Sequence, residues 1–479
     1  MIRKFIKDSV IYVVPTFLSK GIGLILLPVY TRFLSPDIYG ALELLMLLYI
    51  LLNLTLPLEI TQSVARFLAD SSELEDKQKI VSTGFWFTLG VFSTATVVIF
   101  LFPQILSKWL LGDTRFTLEI KVAAIAMLLN SLQYIIQNQL RWLNEAKFSA
   151  LVSIVFSIFS AITTIFCLAV LDMGLLGVIY GQIIGSVSSL FVGLMLTKKR
   201  VAIGWLFDLQ LLKKMLKFSA PLVISNIGVY IAIYMDRWLI NLFLGLEEVG
   251  VYSVAIRIAS IVALGTAVFQ MSLTPLIYSQ YQHNDTPEKI DRILSLVLII
   301  SIPLIGLLAI IGGGIIETFI GESYSEASHI LGWLSLVVLL MSSYVFFPGM
   351  WIAEKTKYIA IINITVAIIN FIANWFFISW FGIMGAVIGS MIAACVLVVL
   401  YFLYSAKEYP IPYRMGRYTS TLIILALFLF MVPSMNNNWI EWGCLGLLAA
   451  FVVLVLPHSS DRLWLKNHFY MLYKHEMKK

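Results

Sequence analysis

Residues 358–404 read YIAIINITVAIINFIANWFFISWFGIMGAVIGSMIAACVLVVLYFLY, and this stretch contains no Asp, Glu, Lys or Arg. A transmembrane helix needs about 20 consecutive, predominantly apolar residues. The stretch is therefore long enough for two spans, which we predict at 358–380 and 383–404. Transmembrane β-strands are short, alternating segments of about 10 residues, so the apolar run predicts helices.

The composition of the whole chain agrees with this stretch. Of 479 residues, 60% are hydrophobic and 13% are charged, whereas a soluble domain carries about 25% charged residues. A soluble, disordered or disulfide-rich secreted protein is thereby excluded. Similar apolar runs, among them the one at 38–61, predict fourteen spans in total, so the expected fold is an all-α polytopic membrane protein. The Cys and His residues show no ligand spacing, and no metal site is predicted.

The distribution of Lys and Arg predicts the orientation. Segments on the side of the N-terminus are rich in basic residues, whereas the other side holds only Lys108, Arg115 and Lys121. Positive residues mark cytoplasmic loops, so both termini are expected in the cytoplasm of a bacterium, with the chain in its inner membrane. The net charge of +6 is then explained by the basic cytoplasmic loops of a membrane protein, and no nucleic-acid partner is expected. The outer connections are too short to hold a catalytic acid or base, so we expect no enzyme.

An internal repeat predicts the domain organisation. The segment LSPDIYG at 34–40 aligns with LGLEEVG at 244–250, and 144–148 aligns with 354–358. A glycine pattern also recurs: Gly174, Gly177 and Gly181 match Gly382, Gly385 and Gly389. Each repeat holds six spans, so an axis along the membrane normal is expected to relate them. The glycines are interpreted as sites where helices approach closely.

Five segments follow from the repeat. They are an N-lobe of six spans at 1–197, an amphipathic cytoplasmic linker at 198–217, a C-lobe of six spans at 218–408, two further spans within 409–457, and a basic cytoplasmic tail at 458–479. The linker places Trp205, Leu209, Leu212 and Leu216 on one helical face. Two alternatives are open for it: a helix lying in the membrane interface, or one that buries its apolar face on the protein.

Ionisable residues inside spans are costly and are functional hypotheses by default. Lys20, Arg237 and Arg257 lie within predicted spans and have no charged counterpart in the other repeat, so we interpret them as cationic groups for a single anionic substrate. Arg and Lys hold phosphates through charge-assisted hydrogen bonds. Because the surrounding walls are apolar, an amphiphilic phosphate or diphosphate is favoured. Seven further residues are candidate coupling or cavity groups: Asp236, Glu43, Glu59, Arg66, Asn363, Asn370 and Asn374.

Structural alternatives accompany these candidates. Asp236 could neutralise Lys20 or Arg257 in a buried pair, and Arg66 could extend to the interface as a snorkelling side chain. The three Asn residues lie on one face of the eleventh span and could line a hydrated path or join helices by hydrogen bonds.

Several segments resemble a known family. LPVYTRFLSPDIYG at 27–40 resembles the first helix and turn of polysaccharide-transporter (Wzx-like) flippases. Leu58-Glu59 followed by 65–67, Ala-Arg-Phe, is similar to a motif at the end of their second helix, although Pro57 replaces a glycine. Gly385-Ala386-Val387 and Gly177-Val178-Ile179 are similar to the outer turns of that family. These flippases belong to the exporter superfamily (MOP, multidrug/oligosaccharidyl-lipid/polysaccharide) that also contains MATE drug antiporters and lipid II flippases.

The resemblance implies a MATE-like fold of two six-helix lobes in a V, with two additional helices. It implies a flippase that moves undecaprenyl-diphosphate-linked oligosaccharides from the cytoplasmic to the outer leaflet by alternating access. Such units build O-antigen, capsule or exopolysaccharide, so membrane lipids and a polysaccharide polymerase with its chain-length machinery are expected partners. No cofactor is expected beyond H+ or Na+ coupling. The alternative is a cation-coupled multidrug antiporter, with Asp236, Glu43 and Glu59 as ion ligands; a membrane scaffold for glycan synthesis is a third hypothesis.

Overall fold

The computed structural model describes residues 23–143, 145–198, 201–434 and 438–456. Within these ranges the chain is almost entirely helical and contains no β-strand. Lys20, Asn144 and the predicted tail at 458–479 lie outside the described residues.

Sixteen helices are described. Before residue 200 they are α1 (Gly23–Phe33), α2 (Pro36–Thr55), α3 (Ile60–Asp70), α4 (Leu74–Leu101), α5 (Pro103–Leu111), α6 (Thr117–Trp142), α7 (Ala146–Ala169) and α8 (Gly174–Lys198). After residue 200 they are α9 (Leu209–Phe243), α10 (Leu246–Gln280), α11 (Thr286–Ile315), α12 (Ala327–Ser342), α13 (Gly349–Ile352), α14 (Thr356–Glu408), α15 (Met415–Met431) and α16 (Asn438–Val455). A single π-helical turn, Ile316–Ile320, extends α11.

The helices have the dimensions of a multi-pass membrane protein. Ten of them, in the described part of the chain, contain apolar windows long enough to cross a bilayer, and three shorter helices are also apolar. Exposed Leu, Ile, Phe and Trp side chains cover their outer surfaces, as expected where the solvent is lipid rather than water. The predicted all-α polytopic membrane fold is confirmed.

Helix α14 contains both spans predicted in residues 358–404. Its two halves meet at Gly382, whose φ of 58° and ψ of −140° are non-helical. A side chain at positive φ is strained, so glycine suits this turn. The halves return to the same end of the protein, because the Lys355 ammonium before α14 lies 2.7 Å from Glu408 Oε1 at its end. The hydrogen bond to Glu408 raises the pKa of Lys355 above its usual value.

Two segments differ from the sequence-based expectation. The single span predicted at 38–61 is interrupted: α2 ends at Thr55, and Leu58 and Glu59 adopt positive φ values of 48° and 54° before α3 begins. Pro57, which has no backbone N–H to donate, lies at this break. Two consecutive residues with positive φ turn the chain here. Hydropathy gives no indication of such a turn.

The predicted linker helix is also different, since α9 runs without interruption from Leu209 to Phe243. The Asp208 carboxylate caps it by accepting hydrogen bonds from the N–H groups of Gln210 and Leu211 at 2.8 and 2.9 Å. On the first turns of α9, Leu212 and Met215 are buried in the core. Residues 209–217 are therefore the start of a long helix that buries Leu212 and Met215 on the protein, whereas Trp205 and Leu209 of the predicted apolar face are exposed.

The backbone has similar geometry at the turns that the internal repeat matches. Glu145 donates its N–H to Leu140, and Lys355, the equivalent residue, donates its N–H to Met350. Gly174 and Gly382 both have positive φ, 53° and 58°. The glycines that follow allow close helix packing, as predicted: a Cβ on Gly181 would lie 2.9 Å from the Ser160 carbonyl oxygen in α7.

The chain forms two compact units, Met1–Ser253 and Val254–Lys479. In the first, α6, α7 and α8 pack together, and α9 packs against α2 and α3. In the second, α11 packs against α12 and α16, and the two halves of α14 form a hairpin. The boundary falls within α10, so the first unit includes α9 and the start of the second sequence repeat.

Candidate functional site

Three of the predicted ionisable residues lie together inside the first unit. Glu43 on α2 is 7% exposed, and Asp236 and Arg237 on α9 are 6% and 7% exposed. Burial of this degree is rare for charged residues unless they are paired. The α9 helix brings them together because its inner face packs directly on α2.

Asp236 is held by its neighbours on two sides. The Tyr252 hydroxyl donates a hydrogen bond to Asp236 Oδ2 at 2.5 Å, and the Arg237 backbone N–H donates to Oδ1 at 2.8 Å. The Arg237 guanidinium Nη1 lies 4.0 Å from the same Oδ1. Among the described residues, Asp236 therefore has its sequence neighbour Arg237 as a charged partner, whereas the predicted pairing with Lys20 falls on a residue outside the described ranges.

The guanidinium of Arg237 is incompletely satisfied. Its Nε and Nη1 are buried, and neither has a hydrogen-bond partner among the described residues. The rings of Tyr234 and Tyr252 lie 5.7 and 5.9 Å from the guanidinium carbon, and the carboxylates of Asp236 and Glu43 both act on its charge. Buried donors without acceptors are costly, so this group is suited to bind incoming oxygen atoms such as those of a phosphate.

Hydrogen bonds made by the polar groups of Tyr and Trp side chains fix the orientation of α9 next to this charge cluster. The Tyr230 hydroxyl donates to the Leu47 carbonyl oxygen on α2 at 3.0 Å. In turn, Trp238 Nε1 donates to the Tyr230 hydroxyl at 3.0 Å. These two hydrogen bonds hold α9, and with it the backbone of Arg237, in a fixed position relative to α2. The cluster of Glu43, Asp236 and Arg237 has a formal charge of −1 when all three groups are ionised.

The other predicted cations are placed elsewhere. Arg257 is half-buried on α10 in the second unit, where the Ser260 hydroxyl donates to its carbonyl oxygen at 2.6 Å. Arg66 on α3 is exposed, with its Nε 3.8 Å from Asp70 Oδ2. Arg237 and Arg257 belong to different units and Lys20 lies outside the described residues, so a shared cationic cavity remains a prediction.

The predicted Asn stripe forms hydrogen bonds within the second unit. Asn374 Nδ2 donates to Asn370 Oδ1 at 2.9 Å, and the Tyr401 hydroxyl donates to Asn363 Oδ1 at 3.0 Å. Tyr401 lies on the second half of α14 and Asn363 on the first, so the latter bond joins the halves. The Asn363 bond agrees with the alternative of hydrogen bonding between helices, whereas the bond between Asn370 and Asn374 lies within the first half of α14.

A second polar site, the Glu59 cavity, lies between α2, α3, α4 and α6 in the first unit. It has a volume of about 330 Å3, at the lower end of the range of about 300–1,000 Å3 for small-molecule sites. Its polar lining consists of Tyr49, Asn53, Glu59, Thr61, Thr88, Ser131 and Tyr134. Glu59 is the charged residue of this lining.

The position of Glu59 follows from the break between α2 and α3. Its positive φ places it at the N-terminus of α3, and Asn226 on α9 donates a hydrogen bond from Nδ2 to Glu59 Oε1 at 3.0 Å. Residues held in this backbone region are strained, and they cluster at functional sites. The carboxylate is half-buried and borders the cavity.

A neighbouring cavity of about 390 Å3 is bordered by the same Tyr49 and Ile50. Asn130, Ser157 and Gln182 supply polar groups to it, and none of its described lining residues is charged. Sequence reasoning missed these uncharged polar residues because it searched the spans for ionisable groups. Their spacing holds a signal: Asn53 follows Tyr49 by four residues, and Tyr134 follows Asn130 by four, which places each pair on one helix face.

The sequence of the chain matches a known protein family and two curated proteins. Residues 29–329 match the sequence family described as "Polysaccharide biosynthesis protein". The "Probable low-salt glycan biosynthesis flippase Agl15" of Haloferax volcanii is 24% identical over 226 residues, which cover 46% of this chain and 48% of that protein. The "Putative O-antigen transporter" of Shigella flexneri is 23% identical over 232 residues, 47% of this chain and 53% of that protein. The chain thus spans about half the length of the curated relatives it matches.

Solved structures show the same fold. The lipid II flippase MurJ in an inward closed conformation has a TM-score of 0.72 at 17% identity, covering 96% of this chain and 100% of that chain. An inward-facing MATE-family multidrug transporter has a TM-score of 0.66 at 16% identity, covering 83% of this chain and 94% of that chain. The predicted MATE-like fold is confirmed.

Proposed function

Because the chain belongs to the polysaccharide biosynthesis protein family, we propose that it is a flippase for undecaprenyl-diphosphate-linked oligosaccharides. The substrate moves from the cytoplasmic to the outer leaflet of the inner membrane and serves surface polysaccharide synthesis. The names of the two relatives, a glycan biosynthesis flippase and an O-antigen transporter, support this proposal. The protein transports and does not catalyse a covalent reaction.

The observation that carries the mechanism is the buried guanidinium of Arg237. Two of its nitrogens, Nε and Nη1, are buried without a hydrogen-bond partner among the described residues, and the nearby Asp236 Oδ1, at 4.0 Å from Nη1, is too distant for a hydrogen bond. Arginine presents a planar fork that matches phosphate oxygens. A diphosphate next to Arg237 would satisfy these donors while its prenyl tail stays in lipid. Lys20 and Arg257 are the further cations of the proposed site.

The remaining predicted residues have supporting roles in this proposal. Asp236 and Glu43 balance the charge of Arg237 when the substrate is absent, Asp236 carries a coupling H+ or Na+, and Glu59 is a cavity group. Arg66 lies at the rim of the site, and the Asn residues of α14 line or stiffen the second repeat. The repeats act as two six-helix lobes that alternate access, with both termini in the cytoplasm and a polymerase as the downstream partner.

The cellular test is deletion of the gene in its source organism. The flippase proposal predicts loss of a surface polysaccharide and accumulation of its lipid-linked precursor, because the units stay in the cytoplasmic leaflet. Plasmid-borne wild type should restore the polysaccharide, and a variant with Arg237→Lys should restore less. Unchanged surface glycans in the deletion strain would refute the proposal.

A multidrug antiporter is a second candidate, and one observation favours it. The described cluster around Arg237 has two carboxylates and one guanidinium, so it is acidic overall, as cation coupling requires. The MATE-family likeness is consistent with this function but shows the fold alone. The same deletion strain distinguishes the candidates: an antiporter predicts increased sensitivity to cationic drugs with normal surface polysaccharide.

A further inference from the structure

The Glu59 cavity has a chemistry different from that of the Arg237 cluster. Among the described residues that line it there is no cation, and its walls combine hydroxyl and amide groups with one carboxylate and two tyrosine rings. An anionic diphosphate would be repelled by Glu59 and would find no positive partner there. The cavity therefore suits a part of a substrate that is rich in hydroxyl groups and carries no negative charge.

Glu59 is arranged to accept hydrogen bonds from such a ligand. An ionised carboxylate offers about four acceptor positions, and Asn226 uses one of them on Oε1. Hydrogen bonds from hydroxyls to a carboxylate are charge-assisted and stronger than neutral ones. Neighbouring hydroxyls on one ring can donate to the two oxygens of the same carboxylate.

The polar residues deeper in the cavity are held by bonds within the protein. The Thr88 hydroxyl donates to the Gly84 carbonyl oxygen at 2.9 Å, and the Ser131 hydroxyl donates to that of Met127 at 2.8 Å. Both side chains are buried, at 2% and 1% exposed. Their donors are used, so their oxygens can act towards a ligand only as acceptors, and both side chains are fixed before a ligand arrives; Ser131 is also hydrogen-bonded to Tyr49 of the same cavity.

Tyr134 contributes an aromatic surface. It borders the cavity and is 42% exposed, so one part of its ring is accessible without rearrangement of the core. The face of an aromatic ring carries negative potential and attracts the weakly positive C–H edge of a sugar ring. The tyrosine ring can therefore pack on the C–H face of a pyranose, while the fixed oxygen acceptors bind its hydroxyl groups.

We propose that the Glu59 cavity is a subsite for one uncharged pyranose ring of the transported glycan. Glu59 accepts from two adjacent hydroxyls, Thr88 and Ser131 accept from groups at the inner edge, and Tyr134 packs on the C–H face. Because the like charge of a sugar carboxylate would be repelled, the subsite selects against uronic acids. This inference rests on the proposed flippase function.

Reconstituted vesicles test the subsite with three fluorescent probes: undecaprenyl diphosphate alone, the same lipid carrying one N-acetylglucosamine, and the same lipid carrying one glucuronic acid. The readout is the rate at which each probe becomes accessible in the opposite leaflet. We expect wild type to flip the N-acetylglucosamine probe faster than the glucuronic acid probe. Glu59→Ala should slow the N-acetylglucosamine probe about tenfold and leave the sugar-free probe unchanged.

Further variants separate binding from folding. Glu59→Gln should reduce the preference for the neutral sugar over glucuronic acid, since the repelling charge is removed while the shape is kept. Tyr134→Phe should retain sugar-dependent flipping, whereas Tyr134→Leu should lose it. Glu73→Gln is the matched control, because Glu73 is an exposed carboxylate at the start of α4 and should behave as wild type.

The outcomes are distinguishable. Equal slowing of the sugar-free and N-acetylglucosamine probes in Glu59→Ala would overturn the subsite and leave the flippase function standing. An unchanged sugar preference in Glu59→Gln would also overturn it. If wild type flips none of the three probes, the proposed flippase function itself fails.

Discussion

Gly40 and Gly250 occupy equivalent positions in the two repeats, and each lies against the backbone of the other repeat's turn. A Cβ on Gly40 would lie 2.0 Å from the Leu246 carbonyl oxygen, and one on Gly250 would lie 2.0 Å from the Pro36 carbonyl oxygen. Pro36 and Leu246 are themselves equivalent in the repeat. The contact is thus reciprocal, as expected for two turns related by local two-fold symmetry.

This contact predicts the effect of adding one methyl group. Gly40→Ala and Gly250→Ala should each destabilise the protein by about 1–3 kcal/mol or more, because the obstructing atoms belong to the backbone and cannot rotate away. Thermal unfolding in detergent measures the change. Gly90→Ala is the control, since Gly90 lies in α4 with nothing within 4 Å of its Cβ position; equal stability of all three variants would contradict the contact.

The turn in the middle of α14 gives a second prediction. Gly382 has open space around its Cβ position, so a side chain there meets only backbone strain. Gly382→Ala should cost about 1–3 kcal/mol, because the φ of 58° and ψ of −140° at Gly382 lie where residues with a side chain are rarely found. Gly90→Ala is the control, since Gly90 also has open space around its Cβ position but no positive φ. A denaturation series in which the two variants are equally stable would show that the turn adopts another conformation.

A third prediction concerns the balance of charge at Arg237. Arg237→Gln leaves the Asp236 carboxylate buried without the guanidinium beside it, and breaking a buried pair in this way costs about 3–5 kcal/mol. The double change Asp236→Asn with Arg237→Gln should recover most of that loss. Thermal unfolding of the single and double variants is the measurement. If the single variant is as stable as the double one, the Asp236 carboxylate does not depend on Arg237.

Trp205, before α9, provides a fourth prediction. Its side chain is 89% exposed, and its ring stacks on Trp86 at 4.5 Å between centroids. Tryptophan is enriched at the membrane interface, so Trp205 should lie among lipid headgroups. The fraction of tryptophan fluorescence quenched by lipids brominated near the headgroup should fall in Trp205→Phe. Identical quenching of this variant and wild type would place Trp205 in water.

Much of the fold could be predicted from the sequence, for a physical reason. Membrane helices must be long, apolar and internally hydrogen-bonded. The length and hydropathy of a run such as 358–404 are therefore enough to predict that it is helical. The repeat was visible because equivalent turns, such as those at Glu145 and Lys355, form the same backbone hydrogen bond and have similar sequences. The break at Leu58 and Glu59 was not visible, since neither residue type usually adopts positive φ and hydropathy continues through it.

The candidate site was predicted less completely. Charges inside spans are rare, so Glu43, Asp236 and Arg237 could be selected from the sequence, yet their pairing depends on how α9 packs on α2. The Glu59 cavity was missed because Thr88 and Ser131 are common in membrane helices as residues that bond their own backbone. Only the packing of four helices gives these hydroxyls a shared cavity.

The central claim is tested most directly by measuring lipid flipping with purified protein. Wild type and the double variant Asp236→Asn with Arg237→Gln are reconstituted into vesicles with a fluorescent undecaprenyl-diphosphate-linked oligosaccharide, and its appearance in the opposite leaflet is followed. We expect wild type to move the lipid well above the rate in protein-free vesicles, and the folded double variant to move it at least tenfold more slowly. Wild type no faster than protein-free vesicles would contradict the flippase function, and a fully active double variant would remove Arg237 from the substrate site.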